Sequence, residues 1–482
     1  MTLIDPAYPS GRSFRPARGE IETRIGPLGL NAQHLPDQTA IDRLYEERDF
    51  QRACQAYLWA LPIVAYGQWQ NQHETVFGAG DGDIVKYVSV RDKLGLITAN
   101  ATTPYVLGFV NTARTGPVVV EVPAGEIAGG CGDFWERNIA DFGLTGPDKG
   151  KGGSYLLLGP GQEPPADARF DYQARSPTFN IFHAFRILTT DPAEGERILA
   201  AYQVYPVKDA ANPTKSRVVR PDGRPWSGTQ PKGMAYWERL NEYLQIEPVK
   251  EEDRLFMAML KPLGIEKGRR FQPNAAQTRA LTEGAEIGQL MAIANSFDKR
   301  FATAPYCGHW DRAVNVSMSQ QAEFYSQLDE RASWFYEAVG LSEGMTTRTP
   351  GEGQAYLSAY RDTSGQWFDG GKAYRVHVPP NVPAKQWWSV AIYDIETRCF
   401  LDTPYDKVEL GSRSGLAMNP DGSVDIYVAP QPPEGTPKSN WIPSAPGRAW
   451  FTYFRLYAPL QPYFDASWRL PDIEAFSGAG EG

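Results

Sequence analysis

Between Gln386 and Pro459 apolar and polar residues alternate in three runs, QWWSVAIYDIETRCFLDTPYDK, NPDGSVDIYVAP and SNWIPSAPGRAWFTYFRLYAP, separated by Asn-Pro-Asp-Gly and by Pro/Gly-rich turns. A period of two with this punctuation predicts antiparallel strands of a sandwich. The same texture fills LGLITANATTPYVLGFVNTA, GPVVVEVPAG, GDFWERNIADFG, GGSYLLLGP and SPTFNIFHAFRILTTD, which predicts a first sandwich upstream. Elsewhere the period lengthens to three and four. TAIDRLYEERDFQRACQAYLWALPIVAYGQWQNQHE carries apolar positions at Ile41, Leu44, Tyr45, Cys54, Tyr57, Leu58 and Leu61 and reads as one or two helices, which Pro62 is expected to bend or end. Helical spacing returns from ERILAAYQVYPV through SQQAEFYSQLDERASWFYEAVG. The pattern divides the chain into an extended arm (1–37), a helical lead-in (38–78), an N-terminal β-sandwich (79–190), a helical segment (191–345) and a C-terminal β-sandwich (346–482). The fold class is mainly β with a helical insert, α+β. No repeat of solenoid or propeller length is visible.

Composition narrows the function. A chain of 482 residues is too long for one core. A net charge of −9 with scattered Lys and Arg argues against a nucleic-acid partner. The N-terminal stretch lacks the apolar segment of a secretion signal, and the longest apolar run, Tyr57 to Tyr66, falls far short of the ~20 residues of a membrane span. A cytoplasmic protein without a membrane partner is expected. Cys54, Cys131, Cys307 and Cys399 are widely spaced and form no CxxC, so free thiols are expected rather than a zinc site or a disulfide framework.

LWALPIVAY, ANATTPYVLGFVNT, GPVVVEVPAG and ADFGLTGPDKGKGGSYLLLGP resemble domain of unknown function 1254. QWFDGGKAYRVHVPP, WWSVAIYD, NPDGSVDIYV and NWIPSAPGRAWFTYFRLYAP resemble domain of unknown function 1214, and LKPLGIEKGRRFQPN is similar to the helical segment that joins them. The resemblance implies an immunoglobulin-like N-terminal sandwich, a jelly-roll-like C-terminal sandwich and a homo-oligomer. It implies no reaction.

Short motifs add little. Gly411 to Gly415 approaches a nucleophile elbow but carries Arg413 at the centre, between two β runs, so an inter-strand loop is expected. GPDKGKGG (146–153) lacks the phosphate-loop spacing and is followed by a strand, which predicts a hairpin loop. Asp81-Gly82-Asp83 opens like a calcium loop, but Lys86 stands where that loop needs glycine. His34, His73, His183, His309 and His377 show no paired metal spacing, so neither a metal nor a cofactor is expected, although a jelly-roll metal site assembled from distant histidines is a further alternative. The absence of a dinucleotide fingerprint argues against a nucleotide cofactor.

The strongest chemical signal is polar residues embedded in aromatic strands. Tyr105 and Asp141 are expected as an acid–base pair, with Arg186 or Arg455 stabilising developing negative charge. Asn100, Trp135, Trp388, Tyr393, Trp441 and His73 are expected to bind substrate. Buried charges on strands are costly unless paired, so the competing reading of this set is a structural network, such as Arg455 with Asp394. In WSVAIYD, alternation places Trp388, Val390 and Ile392 on one face and Ser389, Ala391 and Tyr393 on the other. The function expected is a cofactor-independent enzyme, a hydrolase or a lyase/isomerase, acting on a small, largely apolar or aromatic molecule in a cleft between the sandwiches. A non-catalytic ligand-binding or assembly protein is the alternative.

Overall fold

The computed structural model describes residues 19–33, 35–166, 169–301, 306–346 and 348–477; His34 and residues 1–18 of the expected arm lie outside the described residues. Asp37 starts the first long helix by accepting the Ala40 amide through its side chain, and the helix then runs 35 residues, Gln38–Gln72. Pro62 does not end it. A mid-helix proline costs about 3 kcal/mol, but from Ala53 to Tyr66 all but one of the side chains are buried, against the helices Met234–Ile246, Ala275–Phe297 and Leu328–Glu337. Tertiary packing of that size outweighs the local defect. Leu328–Glu337 buries five large aromatic or charged side chains, Arg331, Trp334, Phe335, Tyr336 and Glu337, and helix Ala275–Phe297 starts with a reciprocal Asn274/Gln277 cap.

The N-terminal sandwich pairs a six-stranded sheet, in the order Val218–Val219, Ile84–Tyr87, Tyr105–Asn111, Asn180–Ile187, Ile127–Asp133, Asn138–Gly143, with a four-stranded one, Gln203–Pro206, Val118–Val122, Gly153–Leu158, Tyr172–Arg175. Val106, Val110, Ile127, Ile181 and Phe185 face Val118, Val120 and Leu157 in its core. Two strands, Gln203–Pro206 and Val218–Val219, come from the segment read as helical. GDFWERN is not a continuous strand: it ends strand Ile127–Asp133 and turns through Glu136 at φ 58°. GPDKGKGG is not a hairpin loop, because the strands on either side of it belong to different sheets. Asp148 holds this crossing, accepting from the Gly143 amide (2.8 Å) and the Tyr155 hydroxyl (2.8 Å).

The C-terminal sandwich has a five-stranded sheet, Asp311–Arg312, Gln354–Ala359, Trp450–Pro459, Ala384–Asp394, Glu409–Gly411, and a four-stranded sheet, Trp441–Pro443, Val424–Ala429, Tyr374–Val378, Glu474–Ala475. Val376, Val390, Ile392, Ile426, Phe454 and Leu456 form its core. Alternation along each large sheet then decides the rest. The opposite faces, carrying Leu107, Phe109 and Phe182 in one domain and Tyr356, Tyr393 and Tyr453 in the other, share a single core with the helices. The class is α+β with β-sandwiches, as the pattern predicted. Among the described residues no helix is long and apolar enough to cross a membrane.

Candidate functional site

A cavity of about 170 Å³ lies where the outer faces of the two large sheets approach each other. One wall is the six-stranded sheet, and its floor is made of small residues. Ala128, Gly130 and Gly132 alternate along one strand and Ala184 sits on the next, so side chains that elsewhere fill such a face are missing. The other wall is Gln354, Tyr356, Tyr453 and Arg455 of the five-stranded sheet. Tyr66 and Trp69 of the long helix, Trp334, and the connection Ala338–Met345 complete the enclosure.

Each sheet contributes a cross-strand Tyr–Arg pair. Tyr105 stands opposite Arg186, and Tyr356 opposite Arg455, in antiparallel register. Tyr356 lies within electrostatic reach of both guanidiniums; burial pushes its phenol up, and Arg186 and Arg455 partly offset that. Arg455 is held firmly. It donates to the Tyr393 hydroxyl (2.5 Å) and to the Thr98 carbonyl (2.6 Å), and its guanidinium lies over the rings of Tyr356, Tyr393 and Tyr453. Arg186 has no hydrogen bond or ion pair among the described residues; its guanidinium lies 6.0 Å from the centre of the Tyr457 ring.

The carboxylates around the cavity are engaged elsewhere. Glu409 accepts from the Ala101 amide and the Thr102 hydroxyl. Glu337 accepts from the hydroxyls of Tyr360 and Tyr453 and lies 3.6 Å from Lys299; burial raises its pKa. The buried Lys93 donates to the carbonyls of Asn100 (3.0 Å) and Thr103 (2.9 Å) beneath Tyr105, and burial lowers its pKa to about 8. Thr98, on the cavity wall, has φ 40°, a strained conformation for a β-branched residue. Three hydrogen bonds hold it there: its amide to the Arg398 carbonyl (2.8 Å), its hydroxyl to the Glu337 carbonyl (2.6 Å), and its carbonyl from Arg455. Strain kept in place this way is typical of sites that hold a ligand.

Residues 85–208 match the protein of unknown function DUF1254, and residues 353–461 match the protein of unknown function DUF1214. One match falls in each half of the chain, and both describe uncharacterised domains. No curated protein sequence matches it. Among solved structures it is similar to the VPA0106 protein from Vibrio parahaemolyticus, at 17% identity over 89% of this chain and all of that one, with a TM-score of 0.55, which indicates a shared fold. A putative uncharacterised protein from Burkholderia cenocepacia aligns at 12% identity over 91% of this chain and 89% of that one, with a TM-score of 0.39.

The cavity lies between the segments that match DUF1254 and DUF1214, and of the residues singled out in the sequence Tyr105, Arg186 and Arg455 line it. Tyr393 and Asn100 lie directly behind. Tyr393 passes Arg455's hydrogen bond on to the Ala99 carbonyl (2.5 Å), and Asn100 donates its amide to the Tyr105 hydroxyl (3.1 Å) while its side chain caps Thr103. Asp141 is not paired with Tyr105. Three strand spacings separate their strands, about 14 Å, and Asp141 instead accepts from Thr145 (3.2 Å) and from the Glu343 and Gly344 amides (3.4 Å each). Burial raises its pKa to about 6. The other expected binding residues serve the core. Trp135 packs on Trp59, Trp388 stacks on Phe454, and Trp441 donates to Ala429 in the four-stranded sheet of the DUF1214 domain. His73 bonds Tyr87 (2.9 Å) in an aromatic cluster, and burial holds its pKa down near 3, so it stays neutral. Arg455 does not pair with Asp394, whose partner is Arg448 (2.6 Å), because the two side chains project to different surroundings from neighbouring strands.

The remaining motifs resolve into structure. Asp81 and Asp83 bind Arg114 and Arg217. His183 bonds Tyr202, His309 pairs with Asp472 and His377 with Asp425, so these histidines are in different places, and among the described residues no group of three metal-ligating side chains is assembled. Tyr356, Tyr66, Tyr453 and Trp334 were not singled out by sequence reasoning. The alternation Gln354, Tyr356, Ser358 in QAYLSAY and the small residues of IAGGCGD were the available signals.

Proposed function

We propose that the protein takes a small, largely apolar organic molecule into the cavity between its two sandwiches and holds an oxygen function of that molecule against the two Tyr–Arg pairs. The observation that carries this reading is the convergence of Tyr105–Arg186 and Tyr356–Arg455, one pair from each domain, on one aromatic space. A largely apolar enclosure with a few convergent polar groups is the usual form of a small-molecule site. A cofactor-independent hydrolase is the second reading. It is favoured by Tyr105, which accepts from the Asn100 amide and keeps its own O–H to donate beside a guanidinium. Such a pair polarises a carbonyl and stabilises the charge that develops on its oxygen.

Thermal denaturation with a panel of aromatic and aliphatic esters, lactones and amides tests the first reading, with Ala184→Trp as the variant that fills the cavity. Stabilisation by a panel member that is lost in Ala184→Trp supports it; no stabilisation by any member sinks it. Product analysis on the same panel tests the second, with turnover expected to fall in Tyr105→Phe. The reading also places the protein in the cytoplasm, where its four free cysteines fit a reducing compartment, and in a homo-oligomer, for which exposed Leu255, Leu290 and Phe324 offer apolar surface.

A further inference from the structure

We infer that the molecule bound in this cavity is an anion, a carboxylate on an apolar body, and that Arg186 is the residue that reads its charge. The inference rests on the cavity reading and adds the ligand's chemical class. An arginine remains protonated in any protein setting. A buried charge is tolerated when it is paired and hydrogen-bonded. Arg455, which is buried, meets part of that need with the neutral acceptors Tyr393 and Thr98, whereas Arg186, half-buried on the cavity wall, has no hydrogen bond or ion pair among the described residues.

No nearby acid supplies Arg186 with the missing charge, although Glu409 lies within electrostatic reach of Arg455. Glu409 is turned to the Ala101 amide and Thr102, Glu337 to Tyr360, Tyr453 and Lys299, and Asp141 to Thr145 and two backbone amides. The cavity therefore holds two positive forks and no counter-ion on its own wall. A guanidinium's parallel N–H groups match the two oxygens of a carboxylate. The Tyr105 hydroxyl, opposite Arg186, adds a donor on the same side. Around these groups the wall is Leu107, Phe182, Trp334, Leu341 and Met345, which suits an apolar body. A cavity of about 170 Å³ has room for on the order of ten waters, the size of a short phenylalkanoate or medium-chain acid.

Calorimetric titration of the intact protein with 4-phenylbutyrate and octanoate, each beside its primary amide, tests this. The carboxylates are expected to bind about tenfold or more tightly than the amides, the gain from a charge-assisted hydrogen bond. Arg186→Gln is expected to erase that difference by weakening the carboxylates at least tenfold more than the amides, and Arg186→Lys to retain part of it. Equal binding of acid and amide overturns the anion assignment and leaves the cavity reading standing. Tighter binding of phenyl phosphate than of the phenylalkanoate overturns the carboxylate. Binding of acids and amides alike that survives Ala184→Trp, or no binding of either, overturns the cavity reading and this inference with it. Should Arg186→Gln not fold, the preference of the unmodified protein for acid over amide, and its partial retention in Arg186→Lys, still decide the matter.

Discussion

Asp141→Asn should change how stability depends on pH rather than abolish the site. Asp141 is 5% exposed, and burial lifts its pKa from 3.8 to about 6 in the folded protein. A carboxyl whose folded pKa is raised binds its proton more tightly when folded, so it favours folding at low pH and loses that contribution as pH rises through the folded value. The full effect of a shift of about two units is roughly 3 kcal/mol. Between pH 5 and pH 7.5 the portion lost is about 1.4 kcal/mol. Asparagine keeps one acceptor oxygen, enough for Thr145 and the Gly344 amide, which share one oxygen of Asp141; it gives up the acceptor facing the Glu343 amide, a cost that does not vary with pH, and it does not titrate. Urea denaturation of both proteins, followed by tryptophan fluorescence at pH 5 and 7.5, should therefore show the stability gap moving towards the variant by about 1.4 kcal/mol at the higher pH. A gap that stays constant with pH, or moves the other way, would refute the argument that burial governs this carboxyl.

Three further outcomes are expected. Glu337→Gln strips the buried Lys299 of its counter-charge and should cost about 3–5 kcal/mol, read as a fall in Tm. Tyr393→Phe leaves an Arg455 donor and the Ala99 carbonyl without the hydroxyl that joins them, and should cost about 1–3 kcal/mol in denaturant unfolding. Of the four thiols, half-buried Cys307 should react first with a disulfide reagent in the native protein, because burial raises the pKa of all four but Cys54, Cys131 and Cys399 are also closed to the reagent; peptide mass spectrometry after a short exposure identifies the labelled site.

The fold class was legible because period two and period 3.6 alternate cleanly along the chain. Even facing was legible in WSVAIYD, where Trp388, Val390 and Ile392 do enter the sandwich core and Tyr393 the opposite side. What failed were cases where a distant partner overrides a local signal, as at Pro62, or where residue type was read without its neighbours. Trp135, Trp441 and His73 carry suitable chemistry, but their surroundings are core. Asp141 was matched to Tyr105 by residue type, while strand order, which a single sequence does not display, sets them three strands apart. The Arg186–Tyr356 proximity was invisible for the same reason: it depends on how two domains face each other.

The bond from Arg455 to the Thr98 carbonyl spans 357 positions of the chain. Closing so long a loop carries a large entropic cost before any contact compensates it. A nascent chain thus holds Tyr105 and Arg186 early in synthesis yet does not close the cavity until strand Trp450–Pro459 has left the ribosome and inserted beside Gln354–Ala359. A molecule that fits the cavity would then act on the last step of maturation, recognising finished chains and passing over truncated ones.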